Sequence, residues 1–324
     1  MAFERSEVKR QEFEARRLAV EAEVRTAFCE FVYAERAVDL VRQNLELVRH
    51  MEEVARIRYS TGGADHPDIS RAQIELGLVE DRLATLVDRR GPLRARVNAA
   101  LGREPQAPLP GPKTLAAREL HLDDDEVLAL LSRWNPELRA GAHAIAAAVH
   151  ATDLAEKERF PDFAIGLDYI STGDALSAGV PDSGKDPLLV SLSLDLPVQR
   201  ARIAAGVREA RANLRAERLR RTELENTLVA RAATALSRLR DATRKIALYG
   251  ATLIPRAADS LAATETAYRA GNASFLDLVD AERLLLEFQL EQQRALADHG
   301  RDWAELERLI GGVLEAVATL EETP

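Results

Sequence analysis

An internal repeat constrains the fold of this 324-residue chain more than any other feature of its sequence. The stretch RYSTGGADHPDISRAQIELGLVE (58–80) places glycine, alanine and aspartate at the same spacing as AYRAGNASFLDLVDAERLLLEFQ (267–289). Tyr59 in the first stretch matches Tyr268 in the second, and this pair is separated by 209 residues. The same offset still relates Leu101-Gly102 to Ile310-Gly311. The chain therefore contains two copies of one structural unit.

Composition indicates that these copies are helical. Aromatic residues make up only 5% of the chain and charged residues 30%, and alanine, leucine, glutamate and arginine dominate, as in long helices and coiled coils. The formal charge of −9 argues against a nucleic-acid partner, because phosphate binding needs clustered cations. The single cysteine, Cys29, excludes an internal disulfide, and its neighbours Phe28 and Phe31 predict a packed thiol.

Long helices are predicted in both copies. In the first copy, helices over about 6–58 and 65–100 flank a turn at Gly62 and Gly63, with Asp65 as the N-cap of the second helix. In the second copy, about 70 residues from 199 to 268 read as helix, and Pro255 is expected to kink it. Each copy is therefore predicted to be a helical hairpin.

The segment between the hairpins has a different pattern. Four prolines within 103–114 predict a linker, a short helix follows near 124–133, and Asn135 caps a helix that runs to about 158. Apolar residues then alternate over 162–170 and 188–197, which predicts two β-strands.

These elements predict four regions. They are a first-repeat helical hairpin (1–102), a proline-rich linker with a short helix (103–134), a second repeat (135–311) and a C-terminal tail (312–324). The second repeat holds a helix, the β-hairpin 162–197 and the long helical hairpin 199–311.

A helical hairpin present twice, with a β-hairpin inserted before the second copy, resembles the outer membrane efflux protein (TolC) family. The matching motifs are NPEL (135–138), FPD (160–162), LLVSLSLDLP (188–197), LYGATLIPRA (248–257), AYRAGNASFLDLVDAE (267–282) and LERLIGG (306–312). RYSTGGADHPDISRAQ (58–73) and NAALGR (98–103) play the same parts in the first copy, so the resemblance covers nearly the whole chain.

The resemblance implies a mainly α subunit of a homotrimeric channel in the outer membrane and periplasm. Its helical hairpins form an α-barrel, and its strands join a shared transmembrane β-barrel in contact with outer-membrane lipid. The channel is the passive exit duct of a tripartite efflux or type I secretion system, fed by an inner-membrane pump through a periplasmic adaptor. In the family, a signal peptide, a short helix and a β-hairpin precede the first long helix. This sequence begins inside that helix, so we expect it to lack those parts.

Two aspartates near the second turn are candidate pore residues. Asp277 and Asp280 lie three residues apart, so both can face one side of a helix, and in a trimer they form stacked acidic rings. Helix capping by Ser274 explains Asp277 equally well. The resemblance implies that both aspartates lie at the periplasmic entrance, and that Asp68 and Tyr268 link neighbouring helices when the entrance is shut.

Four residues of the turns are the candidate adaptor-contacting tips. They are Gly62, Gly63, Gly271 and Asn272, and the simplest role of Gly62 and Gly271 is to supply the positive φ of a helix C-cap. The sequence has no metal-binding histidine spacing, no phosphate-binding glycine loop and no nucleophile–base motif, so no cofactor, metal or enzymatic activity is predicted.

Two other classes of protein are possible on the sequence alone. A cytoplasmic coiled-coil scaffold fits the charged N-terminus, yet it has no use for the two strands. A periplasmic adaptor also carries a helical hairpin, but it carries one, and the duplication disfavours it.

Overall fold

The computed structural model describes residues 1–62, 66–110, 114–173, 176, 181 and 185–314. The helices are α1 (Ala2–Ser60), α2 (His66–Ala100), α3 (Asp124–Trp134), α4 (Pro136–Lys157), α5 (Arg200–Leu248), α6 (Ile254–Arg269) and α7 (Phe275–Ile310). The strands are β1 (Asp162–Tyr169) and β2 (Leu188–Asp195). The prediction of a mainly α chain with one inserted β-hairpin is confirmed.

The long helix of the second repeat is interrupted just before its proline. A π-helical segment, Tyr249–Leu253, separates α5 from α6, and the Ile254 N–H donates to the carbonyl of Tyr249 five residues earlier. Pro255 has no N–H to continue the ordinary ladder, so a wider turn at this place is the physical counterpart of the predicted kink. The turn packs closely on α7, since a Cβ added to Gly250 would lie 2.5 Å from the Gln292 amide nitrogen.

The chain divides into two compact units that differ from the two repeats. The first unit contains residues 1–10 and 139–223, and therefore the start of α1, most of α4, the β-hairpin and the first part of α5. The second unit contains residues 11–138 and 224–324, and therefore both helical turns.

The β-hairpin of the first unit is antiparallel and has two unlike faces. Pairing runs from Asp162 opposite Asp195 to Tyr169 opposite Leu188. One face carries only large aliphatic and aromatic residues and is exposed; its pairs are Phe163 with Leu194, Ile165 with Leu192, Leu167 with Val190 and Tyr169 with Leu188. The other face carries mostly small or polar residues, such as Gly166 opposite Ser191.

The second unit buries its apolar residues in successive clusters. The tip cluster contains Met51, Ala55, Ala72, Leu261, Tyr268, Phe275, Leu278 and Val279. The shaft cluster contains Ala37, Val41, Leu45, Val48, Val79, Leu286 and Leu290. A third cluster packs α3 against α5 and the end of α7; Leu131, Leu236 and Leu309 are among its members. Along α5, residues spaced by four and three are buried at Leu228, Ala232, Ala235, Leu239 and Ala242, whereas Ile246, at the same spacing, is only half-buried.

The repeat is visible in the backbone at the helix ends. Four of the described glycines have positive φ, and they form two pairs at the repeat offset: Gly62 with Gly271 and Gly102 with Gly311. Beyond the second pair, the Arg103 N–H bonds to the Asn98 carbonyl and the Gly312 N–H to the Glu307 carbonyl, at 2.8 and 3.0 Å. Glycine is used here because this left-handed cap strains other residues.

Candidate functional site

The structure packs the two helical turns of the second unit against each other. The Arg58 guanidinium at the end of α1 lies 4.4 Å from the centre of the Tyr268 ring at the end of α6, and it donates a hydrogen bond to the Tyr268 carbonyl. The Tyr268 ring is buried and packs edge-on against the Phe275 ring, with 5.7 Å between the two ring centres. Arg58 of the first repeat therefore binds the C-terminal end of α6 in the second repeat.

Three of the four predicted adaptor-contacting residues lie at the exposed ends of these turns. Gly62 has φ 74° and its N–H donates to the Tyr59 carbonyl at 3.1 Å. Gly271 has φ 83°, and the next N–H, of Asn272, reaches the Ala267 carbonyl at 2.8 Å. Gly63 and the predicted cap Asp65 lie outside the described residues.

Asp277 closes a capping box at the start of α7. Its carboxylate accepts from the Ser274 N–H at 2.9 Å and from the Ser274 hydroxyl at 2.7 Å, while its own N–H donates to that hydroxyl at 3.2 Å. The Ser274 hydroxyl and backbone N–H lower the pKa of this carboxyl, because both bonds favour the charged form. The carboxylate therefore stays ionised while it caps the helix.

Asp280 has a different environment. It is exposed one turn further along α7 and makes no hydrogen bond or ion pair with a residue that the structure describes. Its counterpart in the first repeat is Arg71, which lies 3.7 Å from Asp68 on the same helix. Capping accounts for Asp277, whereas the charge of Asp280 acts on Arg283 of the same helix without a hydrogen bond or ion pair among the described residues.

Asp68 and Tyr268 lie near each other without a direct bond. The Tyr268 hydroxyl is buried and has no hydrogen-bond partner among the described residues. Burial raises the pKa of Tyr268, and the negative charge of Asp68 raises it further. The charge of Asp68 therefore acts on Tyr268 from the other repeat, while Arg58, which packs on the Tyr268 ring, acts on its pKa in the opposite direction.

A buried glutamate on α7, just beyond the tips, was not predicted from the sequence. The apolar residues Ala281, Leu285 and Phe288 of α7 are half-buried, whereas Glu282 is 1% exposed. A charged residue is ordinarily expected at the surface, so the burial of Glu282 is not expected from its residue type. The available signal was spacing, since the apolar residues Leu278 and Leu286 lie four residues before and after Glu282.

Comparison with known families decides the class of the chain. The family model described as "Outer membrane efflux protein" matches residues 128–312, more than half of the chain. The chain belongs to the outer membrane efflux protein family. This family consists of channel-type efflux proteins, and the resemblance drawn from the sequence motifs is confirmed.

Solved outer membrane efflux proteins share the fold of this member. The outer-membrane channel OprN has 21% sequence identity and a TM-score of 0.83, with 96% of this chain and 70% of that chain covered. The outer membrane protein VceC from Vibrio cholerae has 19% identity and a TM-score of 0.83, with coverage of 97% and 74%. The Campylobacter jejuni CmeC outer membrane channel has 11% identity and a TM-score of 0.80, with coverage of 98% and 69%.

The comparison with curated proteins adds no further assignment, because none of them gives a significant sequence match. Across the described ranges, no helix is both long and apolar enough to cross a membrane. The same part of the chain contains no group of three or more His, Cys, Asp or Glu side chains placed to hold a metal ion.

Proposed function

We propose that this chain is a subunit of a passive trimeric exit duct in the outer membrane, serving a tripartite efflux or type I secretion system. The observation that carries the proposal is the β-hairpin inside the family-matched segment. Phe163, Ile165 and Leu192 on its apolar face are about three-quarters exposed, at 74, 74 and 75%. Such a face is costly in water and suits lipid, and open strand edges require further strands, which neighbouring subunits supply.

The tips of the second unit are the proposed periplasmic gate. Three copies of Asp280, with the capping carboxylate of Asp277, would form acidic rings at the entrance, where charge selects among ions. Tyr268 and Asp68 would join the repeats while the entrance is closed. An adaptor that touches Gly62, Gly63, Gly271 and Asn272 would separate the tips, and an inner-membrane pump would supply the energy.

Two variants and one matched control test the gate. Purified trimers in planar bilayers are expected to leak more when Asp68→Ala or Tyr268→Phe removes one partner of the link between repeats. Asp259→Ala, an exposed acidic residue on α6, is the control and should leave the conductance unchanged. A chain that forms no trimers, or that inserts no conducting pores, contradicts the duct. If trimers form but Asp68→Ala and Tyr268→Phe conduct no more at rest than the wild type and the Asp259→Ala control, only the gate is contradicted.

A further inference from the structure

A layer of polar side chains crosses the interior of the second unit between its tip cluster and its shaft cluster. Asn44 of α1, Glu75 of α2 and Glu282 of α7 are 8, 5 and 1% exposed. On α2, Glu75 lies between Ala72 of the tip cluster and Val79 of the shaft cluster. On α7, Glu282 lies between Leu278 and Leu286 in the same way. Three helices thus place a polar group at one level of an otherwise apolar seam.

Two buried oxygen atoms of this polar layer have no hydrogen-bond donor among the described residues. The Asn44 amide nitrogen donates to Oε1 of Glu282, and Arg283 donates to Glu75. Oε2 of Glu282 and Oδ1 of Asn44 are both buried without a partner among the described residues. Both orphaned atoms are acceptors on the same two side chains. One proton on Oε2 of Glu282 would supply the donor that Oδ1 of Asn44 lacks and close a two-bond carboxyl–amide pair.

Burial is the main reason why that proton is favoured on Glu282. Glu75 faces Glu282 from α2 as a second buried carboxylate, while Arg82 of α2 and Arg283 of α7 act in the opposite direction. Asn44 is the polar group that α1 contributes. Burial, and then the charge of Glu75, raise the pKa of Glu282 to about 7 although the Asn44 bond lowers it. The site therefore titrates near neutral pH.

We propose that Glu282 is a proton-dependent clasp that regulates the tips. With its proton bound, Glu282 pairs with Asn44 and holds the start of α7 against α1. When the proton is lost, the buried carboxylate keeps the bond from the Asn44 amide nitrogen but loses the second bond to Oδ1 of Asn44, and its charge lies beside that of Glu75. The tip cluster then separates more readily from the shaft cluster. As a control on opening, this inference rests on the proposed duct function, although the packing change itself does not.

Hydrogen exchange on the full chain tests the packing directly. Exchange of amides in 275–286 and 41–51, corrected for the intrinsic pH dependence, is compared at pH 6 and pH 8. Release of one proton with a pKa of about 7 predicts an opening equilibrium about tenfold larger at pH 8. In Glu282→Gln the amide copies the protonated acid, since it donates to Asn44 Oδ1 and accepts from Asn44 Nδ2. This variant should exchange slowly at both pH values.

Two further variants keep the test decisive. Glu287→Gln, an exposed glutamate on the same helix, is the matched control and should retain the tenfold change. Glu75→Gln removes the like charge and should move the transition to lower pH. Wild-type exchange that does not depend on pH, or a tenfold change that persists in Glu282→Gln, overturns the clasp. Conductance measured separately distinguishes the hypotheses, since a non-conducting chain with pH-dependent exchange contradicts only the duct.

Discussion

Replacement of Gly311 by alanine should destabilise the second unit far more than the same change at its repeat counterpart, Gly102. Both residues end a helix with positive φ, 88° at Gly311 and 65° at Gly102. A Cβ at Gly102 would meet nothing within 4 Å. A Cβ at Gly311 would lie 2.9 Å from the Trp134 carbonyl carbon and closer still to its oxygen. The two sites share the backbone strain and differ in the clash.

The magnitudes follow from these two terms. An alanine forced into the left-handed region costs about 1–2 kcal/mol, which is the whole expected effect of Gly102→Ala. The clash at Gly311 adds about 1–3 kcal/mol, because the obstacle is backbone and overpacking forces it to move. That backbone is held in place, since the Asn135 amide donates to the Leu309 carbonyl at 2.8 Å and its oxygen accepts from the Leu138 N–H at 3.0 Å. Gly311→Ala should therefore cost about 2–5 kcal/mol.

Tryptophan fluorescence during urea unfolding measures the difference. The chain has two tryptophans, Trp134 and Trp303, and both lie in the second unit, so the signal reports on that unit alone. The expected order of unfolding midpoints is wild type, then Gly102→Ala, then Gly311→Ala. Equal midpoints for the two variants would show that the contact between the end of α7 and the α3–α4 junction is not tight, and would refute the reasoning.

Two further predictions concern buried groups of the same unit. The fully buried Asn98 side chain donates to the Pro105 and Ala107 carbonyls at 3.1 and 2.9 Å. Asn98→Ala should therefore lower the free energy of unfolding by about 1–3 kcal/mol and speed proteolysis of the linker 103–110. Linker cleavage at the wild-type rate would contradict that role. Burial raises the pKa of the Cys29 thiol to about 11, so alkylation of the folded protein at pH 8 should be at least about 100-fold slower than for a free thiol. Urea should abolish the difference, and rapid labelling without urea would show that the thiol is open to solvent.

The duplication made much of the fold predictable. A fixed offset of 209 residues relates the positive-φ glycines in pairs, so each turn predicted from one copy was supported by the other. Capping was equally local, and Asn135 accepts the Leu138 N–H as the sequence predicted. The β-strands followed from strict alternation, and the structure ends them at Tyr169 and Asp195, within two residues of the predicted bounds. Each of these signals is contained in a few neighbouring residues.

The buried polar layer was not predictable in the same way. Glu75 and Glu282 are buried because α1 and α2 meet α7 at one level, and no short stretch of sequence records that meeting. The half-buried positions Ala281 and Leu285 are apolar as well, so hydrophobic spacing alone did not fix which stripe faces inward. The Arg58–Tyr268 contact has the same origin, since it joins residues 210 positions apart through tertiary packing.

The ends of α2 and α7 have the same left-handed glycine cap, but the buried polar side chain that precedes the cap differs between the two repeats. Position 98 of the first copy corresponds to Glu307 in the second, and both side chains are buried. Asn98 holds linker carbonyls directly, whereas Glu307 accepts from Trp303 at 3.1 Å, pairs with Arg25 and lies 4.0 Å from Arg118. Arg118 belongs to the same connecting segment, and its carbonyl lies 3.1 Å from the His299 ring. The same repeat position therefore contacts the segment that connects the repeats twice, once from α2 through Asn98 and once from α7 through Glu307. The turns at Gly62 and Gly271 lie at the other ends of α2 and α7, and the proposed gate and its proton-dependent clasp lie toward those ends.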